Sequence, residues 1–217
     1  TILDFHKAER IALSKTLESF DVAPDDEVLA RYHVINLQHW ERLETGELTR
    51  DQVQEGRFRV LFQELGRTVD PVQVTRTYER NLGIGHYFLP GAEEAVQSLH
   101  KKYRLFLASN GTASVQHSRL TSAGLYPYFE KVFVSQEIGQ NKPSRDYFEA
   151  CFRQIPDFCP ERAMMVGDSL TSDILGGINA GIRTCWVNPA HAPARANIQP
   201  DYEIENLSQL EEVLKTL

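Results

Sequence analysis

Two aspartates lie on one predicted strand-to-helix turn, and carboxylates placed in this way can hold a cation. The four apolar residues 163–166 predict a short strand buried on both faces, as in a parallel sheet, and Gly167 ends it. Asp168 is then at the carboxyl edge of the strand, where open α/β sheets bind ligands, and Asp173 follows in the first turn of the next helix. Two neighbouring carboxylates repel each other unless a cation or an ammonium group lies between them. The alternative is a helix-capping aspartate followed by one that the helix dipole favours.

Two further polar residues follow predicted strands. Ser109 ends an apolar strand and precedes Asn110, Gly111 and a helix start, where a hydroxyl and free backbone amides can bind a small anion. A helix cap in a tight turn is the simpler interpretation of that serine. Lys142 precedes Pro143, which restricts the lysine to extended backbone, so its side chain projects from a stiff loop. A solvated surface lysine is the usual alternative.

Composition limits the classes of function. The 217 residues, 41% hydrophobic and 24% charged, suit one globular domain with an insertion, or two small domains. A net charge of -7 argues against a nucleic-acid surface but not against one bound phosphate group. The three cysteines have no metal-ligand spacing and favour a reducing compartment. Because the sequence shows neither a membrane-spanning run nor a signal peptide, we expect a cytoplasmic protein without a membrane partner; the oligomeric state stays open.

Residues 6–85 differ in pattern from the rest of the chain. Their apolar residues recur at helical spacing, and breaks fall at 21–26, 45–46 and 66–71. This pattern predicts about four consecutive helices with no strand between them, which is a small helical bundle.

The remainder alternates between strands and helices, which predicts a parallel sheet covered on both faces. We therefore expect an α/β fold, with a core domain formed by residues 1–5 and 86–217 and a helical domain formed by 6–85. Pro143 is expected at the first position of its helix. The predicted strands are 104–108, 131–134, 163–167 and 184–187, and the predicted helices are 92–101, 113–123, 145–152, 171–180 and 208–217.

The order of these motifs resembles the haloacid dehalogenase-like hydrolase superfamily. A strand ends in serine at 107–111, a loop lysine precedes proline at 142–143, and a strand ends in Gly-Asp at 166–168 with Asp173 beyond it. The resemblance covers the chain from about residue 90 to 188, and the helical bundle is similar to the family's inserted cap. It implies a Rossmann-like parallel sheet core with helices on both faces, plus an inserted four-helix cap.

The resemblance also implies a chemistry, the hydrolysis of a phosphate monoester. Asp168 would help to hold Mg²⁺, a hard cation that prefers oxygen ligands. Ser109, Asn110 and nearby amides would bind the phosphoryl oxygens. Lys142 would neutralise charge on substrate and intermediate, and Asp173 would position Lys142 or a metal-bound water. An aspartate would attack in line to give an aspartyl-phosphate, which water then cleaves.

That nucleophile is expected ahead of the sequence. Residues 1–5 resemble the family's Asp-x-Asp-x-Thr motif from its threonine onward, so the nucleophile and the general acid/base would both precede Thr1. No strand is predicted before the helices, although the family's first strand is the central one. We therefore expect an apolar strand followed by Asp, any residue, Asp and Gly directly before Thr1.

Shorter phrases are similar to those of the pyrimidine 5'-nucleotidases, a branch of the family that dephosphorylates UMP, dUMP and dTMP. The substrate expected on this basis is a small phosphorylated metabolite, a nucleotide. These phrases are 109–111, Gln116, 119–120, 128–129, 133–135, 137–139, 176–177 and 185–189.

Two other functions stay open. One is a sugar-phosphate or phosphoglycolate phosphatase on the same scaffold, and the other is a non-catalytic phosphate-binding protein if the expected aspartates are absent. In the helical part, the turn 45–47 could enter the site, and Trp40 and Arg57 could contact a base; packing within the bundle is the simpler interpretation of each.

Overall fold

Four helices precede any strand in the computed structural model, which describes residues 1–216. Each begins at a residue whose side chain accepts a hydrogen bond from a backbone N–H of the first turn, as helix caps do. The prediction of four consecutive helices is confirmed. They are α1 (Phe5–Glu18), α2 (Asp26–Glu44), α3 (Arg50–Glu64) and α4 (Pro71–Ile84), and residues 5–84 are called the helical unit below.

The helical unit has an aromatic centre. Tyr32, Phe58 and Tyr78 are fully buried, and their ring centroids lie between 5.2 and 5.9 Å apart. Aliphatic side chains from all four helices surround these rings. The apolar stripes recognised in the sequence therefore face one shared core.

The rest of the chain is built on short parallel strands, which confirms the predicted α/β class. The strands are β1 (Phe106–Ser109), β2 (Lys131–Val134), β3 (Met164–Gly167), β4 (Arg183–Val187) and β5 (Tyr202–Ile204). The helices are α5 (Ala92–Leu99), α6 (Ala113–Ser122), α7 (Ser135–Ile138), α8 (Arg145–Phe152), α9 (Leu175–Ala180) and α10 (Leu210–Leu214).

These strands form two sheets in the part of the chain that the structure describes. One sheet pairs β1 with β2, and the other has the order β3-β4-β5. Ile2 packs against apolar clusters beside both sheets, and Leu3 forms an isolated antiparallel bridge with Phe88. The strand expected ahead of Thr1 stays a prediction.

Several boundaries differ from the sequence prediction. β5 was not predicted, because three residues next to a proline-spaced loop give too short a pattern. Pro143 is not the first helical residue: Ser144 caps α8, so the proline lies outside the helix. The predicted helix 171–180 begins one residue earlier, with a π-helical turn at Leu170–Ile174, before α9. The last predicted helix is a 3₁₀ turn followed by α10, and Leu217 lies outside the described residues.

None of the helices within residues 1–216 combines the length and the apolar character that a membrane crossing needs.

Candidate active site

The predicted polar residues meet where β1 and β3 end. The Nζ of Lys142 donates a hydrogen bond to the carbonyl oxygen of Ala108, in β1, at 2.9 Å. It also contacts Oδ1 of Asp173, beyond β3, at 2.6 Å. Lys142 therefore joins the carboxyl ends of two strands. It is only 5% exposed, which excludes the solvated-lysine alternative.

Asn110 fixes the backbone of that lysine. Its side-chain amide donates to the carbonyl oxygen of Lys142 at 2.8 Å, and its Oδ1 accepts from the N–H of Lys142 at 2.9 Å. The side-chain amide of Asn110 therefore bonds to both backbone polar groups of Lys142, as a neighbouring strand would. The side chain of Asn110 thus holds the lysine loop against the end of β1.

Asp173 is buried against the end of β3. It is 6% exposed, and its second oxygen accepts a hydrogen bond from the N–H of Ser169 at 3.1 Å. A Cβ added at Gly167 would lie 2.3 Å from that oxygen, so glycine is the residue that permits this approach. A buried carboxylate is tolerated when it is paired and hydrogen-bonded, and Lys142 and Ser169 satisfy both conditions.

Asp168 is the open member of the site. Its side chain is 57% exposed, and Oδ1 accepts a hydrogen bond from the hydroxyl of Thr1. Asp173 has Lys142 as its positive partner, so the two aspartates do not share one cation.

The donor chemistry at Asp168 fits Mg²⁺. An ionised, outward-facing carboxylate is the type of oxygen ligand that this ion prefers, and most of the ion's other ligands are waters and substrate oxygens. Asp173 is engaged with Lys142, so Asp168 is the residue of this pair that is open to a metal.

Ser109 lies at the start of the loop that follows β1. Its hydroxyl accepts a hydrogen bond from the N–H of Gly111 at 3.1 Å, so the tight-turn interpretation is correct for this contact. Thr112, rather than Ser109, occupies the cap position of α6. Gly111 allows the loop to bend closely, because a Cβ there would lie 2.2 Å from the side chain of Gln116.

Arg50, at the first position of α3, is a site residue that sequence reasoning missed. Its guanidinium donates to the carbonyl oxygen of Asn110 at 2.8 Å, to the hydroxyl of Ser135 at 2.5 Å and to Oδ1 of Asn141 at 2.6 Å. Burial lowers the pKa of Arg50. A cation at a helix N-terminus opposes the helix dipole, and this was the sequence signal that could have identified it.

Glu44, at the end of α2 in the helical unit, faces the same strand ends. Its carboxylate faces Thr171 and Asp173; burial raises the pKa of Glu44, the charge of Asp173 acts in the same direction, and the Thr171 hydroxyl opposes both. Glu44 and Arg50 flank the turn 45–47 that the sequence placed near the site. We call residues 44–50 the α2–α3 junction.

The other two residues considered for base contact are held inside the helical unit. Arg57 is 4% exposed and donates to Oδ1 of Asn36 at 2.9 Å, which confirms the packing interpretation. The indole N–H of Trp40 donates to the same oxygen at 3.0 Å. The centroid of the Trp40 ring lies 5.7 Å from the guanidinium carbon of Arg50. Trp40 therefore packs against the guanidinium of Arg50.

Comparison with known proteins agrees with this architecture. The chain is 39% identical to the HAD-hydrolase YfnB of Bacillus subtilis, over 99% of this chain and 91% of that protein. It is 37% identical to the pyrimidine 5'-nucleotidase PynA of Streptococcus pneumoniae, over 97% and 89%. It is 32% identical to the pyrimidine 5'-nucleotidase YjjG of Escherichia coli, over 84% and 80%.

Solved structures agree as well. The crystal structure of YfnB bound to magnesium, which reveals interdomain movement, superposes with a TM-score of 0.95 over 99% of this chain and 94% of that one. The L-2-haloacid dehalogenase of Xanthobacter autotrophicus shares the fold, with a TM-score of 0.79 at 16% identity over 100% and 95%. The family model for haloacid dehalogenase-like hydrolases matches residues 1–181. The chain belongs to the haloacid dehalogenase-like hydrolases.

Proposed function

We propose that this chain is a magnesium-dependent phosphatase that hydrolyses pyrimidine nucleoside 5'-monophosphates through an aspartyl-phosphate intermediate. The observation that carries the proposal is the buried Lys142–Asp173 pair at the ends of β1 and β3. A buried ion pair adds little net stability compared with apolar packing, so its presence at a sheet edge favours a chemical role.

In this proposal the core residues bind and orient the phosphoryl group. Ser109 and the backbone amides that follow β1 donate to its oxygens. Lys142, held in place by Asn110 and Asp173, places a fixed positive charge beside it. Such preorganised charge stabilises a phosphoryl transition state without further rearrangement.

Asp168 would hold Mg²⁺, and the ion would supply positive charge to the phosphoryl oxygens when bound. The nucleophile is an aspartate, which we expect ahead of Thr1. Its attack on phosphorus forms the phosphorus–oxygen bond of the intermediate and breaks the ester bond to the nucleoside, whose 5' oxygen takes a proton from the general acid/base also expected ahead of Thr1. Water then breaks the new bond and frees inorganic phosphate.

We also propose that residues 6–85 form the cap domain of a core made from residues 1–5 and 86–217. The α2–α3 junction supports this, because Arg50 donates to three core residues, one after β1 and two after β2. A cap that closes in this way excludes water from the site and can select the substrate.

The nucleotide assignment draws on sequence similarity along nearly the whole chain. PynA, named a pyrimidine 5'-nucleotidase, aligns over 97% of it. The similarity is greater than a shared fold alone would give, so we extend that substrate class to this chain.

A substrate panel tests the proposal on the protein with its natural N-terminal sequence. We expect a higher kcat/KM for UMP or dTMP than for phosphoglycolate or glucose 6-phosphate, and no activity in EDTA until Mg²⁺ is restored. The reverse order of substrates would favour a sugar-phosphate or phosphoglycolate phosphatase. Phosphate binding without turnover of any ester would favour the non-catalytic alternative.

A further inference from the structure

A second group of metal-ligating side chains lies in the helical unit, apart from the strand ends. His6 and Glu9 belong to α1, and His33 belongs to α2. One ligand atom from each of the three lies within 4.8 Å of the other two. We propose that these residues form a transition-metal site that takes Zn²⁺ and links α1 to α2.

Glu9 provides the first argument. It is only 5% exposed, and its Oε1 accepts a hydrogen bond from the amide of Asn36 at 2.7 Å. Within residues 1–216, the ionisable partner at salt-bridge distance from Glu9 is His33, at 3.3 Å. An imidazole balances the charge of a carboxylate only while it is protonated, whereas a metal ion does so at any pH at which it is bound. A buried carboxylate needs a positive partner, and a bound metal would supply one.

The neighbours of Glu9 hold it in a fixed orientation. Asn36, which donates to the carboxylate, accepts hydrogen bonds through its own Oδ1 from Arg57 at 2.9 Å and from Trp40 at 3.0 Å. Ligating carboxylates are held by hydrogen bonds of this kind in many metal sites. The ligand that is hardest to reposition is therefore already anchored.

The geometry supplies the second argument. The distance of 3.3 Å between Nδ1 of His33 and Oε2 of Glu9 matches the edge of a tetrahedron around Zn²⁺, whose bonds to nitrogen and oxygen are about 2.0–2.2 Å long. His6 and Glu9 are three residues apart, so they lie on the same face of α1. The ring centroids of His6 and His33 are 5.5 Å apart, and both side chains are exposed, which leaves a path for the ion.

The ligand types separate this site from the one at Asp168. Two imidazoles and one carboxylate suit Zn²⁺ or Co²⁺, whereas Mg²⁺ prefers oxygen ligands alone. Excess Mg²⁺ should therefore leave the histidine site available to Zn²⁺. The inference does not depend on the proposed phosphatase activity.

Calorimetric titration with Zn²⁺ tests the site, using the full-length protein in excess Mg²⁺. We expect one site in the unaltered protein, with affinity lowered at least roughly tenfold by either H6A or H33A. Because both imidazoles are exposed, these variants should fold, and circular dichroism checks that they do. H86A is the matched control, since His86 is also exposed and its side chain bonds only to the carbonyl oxygen of Ile84 in the described chain; it should bind Zn²⁺ as before.

A structural readout accompanies the titration. Zn²⁺ should raise the Tm of the unaltered protein and of H86A but not that of H33A, and Co²⁺ should give the visible bands of a four-coordinate site in the same two proteins. Equal Zn²⁺ affinity in H6A, H33A and the unaltered protein would overturn the proposal. So would Zn²⁺ binding that D168N abolishes and H33A retains, because the ion would then be at the strand ends.

Discussion

The strand-end loops of the core and the α2–α3 junction meet at the same site. The position of the junction depends on contacts with the core, whereas the core side chains are held by contacts of their own. In the core, the side chains of Lys142, Asp173 and Asn110 make their hydrogen bonds to one another or to neighbouring core backbone. At the junction, the hydrogen bonds of Arg50 are to the core, at Asn110 after β1 and at Ser135 and Asn141 after β2. The core can therefore hold its geometry without the junction, whereas the junction's position follows from the core.

This difference separates two kinds of function within one site. Groups whose positions are fixed by their own fold can stabilise charge in a transition state without reorganising. Groups held by hydrogen bonds across the site can break those bonds and form them again as substrate enters and leaves. Substitutions in the core should therefore act mainly on kcat, and substitutions at the junction mainly on KM.

The largest expected effect is that of D168N. An amide has no negative charge to hold Mg²⁺, so kcat should fall by roughly two orders of magnitude or more, while the fold is retained because this side chain is exposed. Steady-state kinetics across a range of Mg²⁺ concentrations measures the loss.

Asp157 offers the matched control. It is exposed in a loop with φ 55°, a conformation that asparagine tolerates well, so D157N should be nearly as active as the unaltered protein. Full activity of D168N at ordinary Mg²⁺ concentrations would remove the metal from the proposed mechanism.

The next largest effect should come from K142A. It removes the positive charge beside the phosphoryl group and leaves Asp173 as a buried carboxylate without its cation, so kcat should fall steeply, by roughly a hundredfold or more. K215A removes an exposed lysine of α10's C-terminal end and should change kcat little. If both substitutions lowered kcat by the same small factor, Lys142 would have a structural role and no role in catalysis.

The site residues that the sequence predicted have a signal among their near neighbours in the chain, whereas the residue that it missed is defined by a long-range contact. Asp168 and Asp173 follow one apolar strand, and Lys142 is fixed by the proline after it, so each has a signal within a few residues. Arg50 meets Asn110 across 60 residues of chain, and no short pattern records that contact. The same limit applies to the fold, in which the longer strands were found and three-residue β5 was not.

Gly167 tests how closely the core is packed around Asp173. In G167A the new Cβ would overlap the carboxylate of Asp173, which must move away from Lys142. We expect the free energy of unfolding to fall by about 1–3 kcal/mol, as in other overpacked sites, and kcat to fall by roughly tenfold. Denaturant unfolding and kinetics measure the two effects.

A second glycine provides the comparison. Gly56 lies within α3, and a Cβ there would contact only the end of the His39 ring, at 3.0 Å. Because alanine favours a helix by about 1 kcal/mol over glycine, G56A should leave stability unchanged or raise it. If G167A behaved in the same way, the close approach of Asp173 to β3 would not matter for the site.

The smallest expected effect, and the one most informative about the comparison, is that of R50A. It removes the hydrogen bonds that hold the α2–α3 junction to the core segments after β1 and β2, so the closed arrangement becomes a smaller fraction of the population. Apparent affinity falls in proportion to that fraction, and losing about one charged hydrogen bond of 1.5 kcal/mol corresponds to a rise in KM of roughly tenfold. Since Lys142 and Asp173 keep their own contacts, kcat should change much less. R59A removes another arginine of α3, whose partner is Glu55 on the same helix, and should leave both constants unchanged. A hundredfold fall in kcat for R50A with KM unchanged would mean that Arg50 acts on the reacting group itself, and the division of labour between core and junction would be wrong.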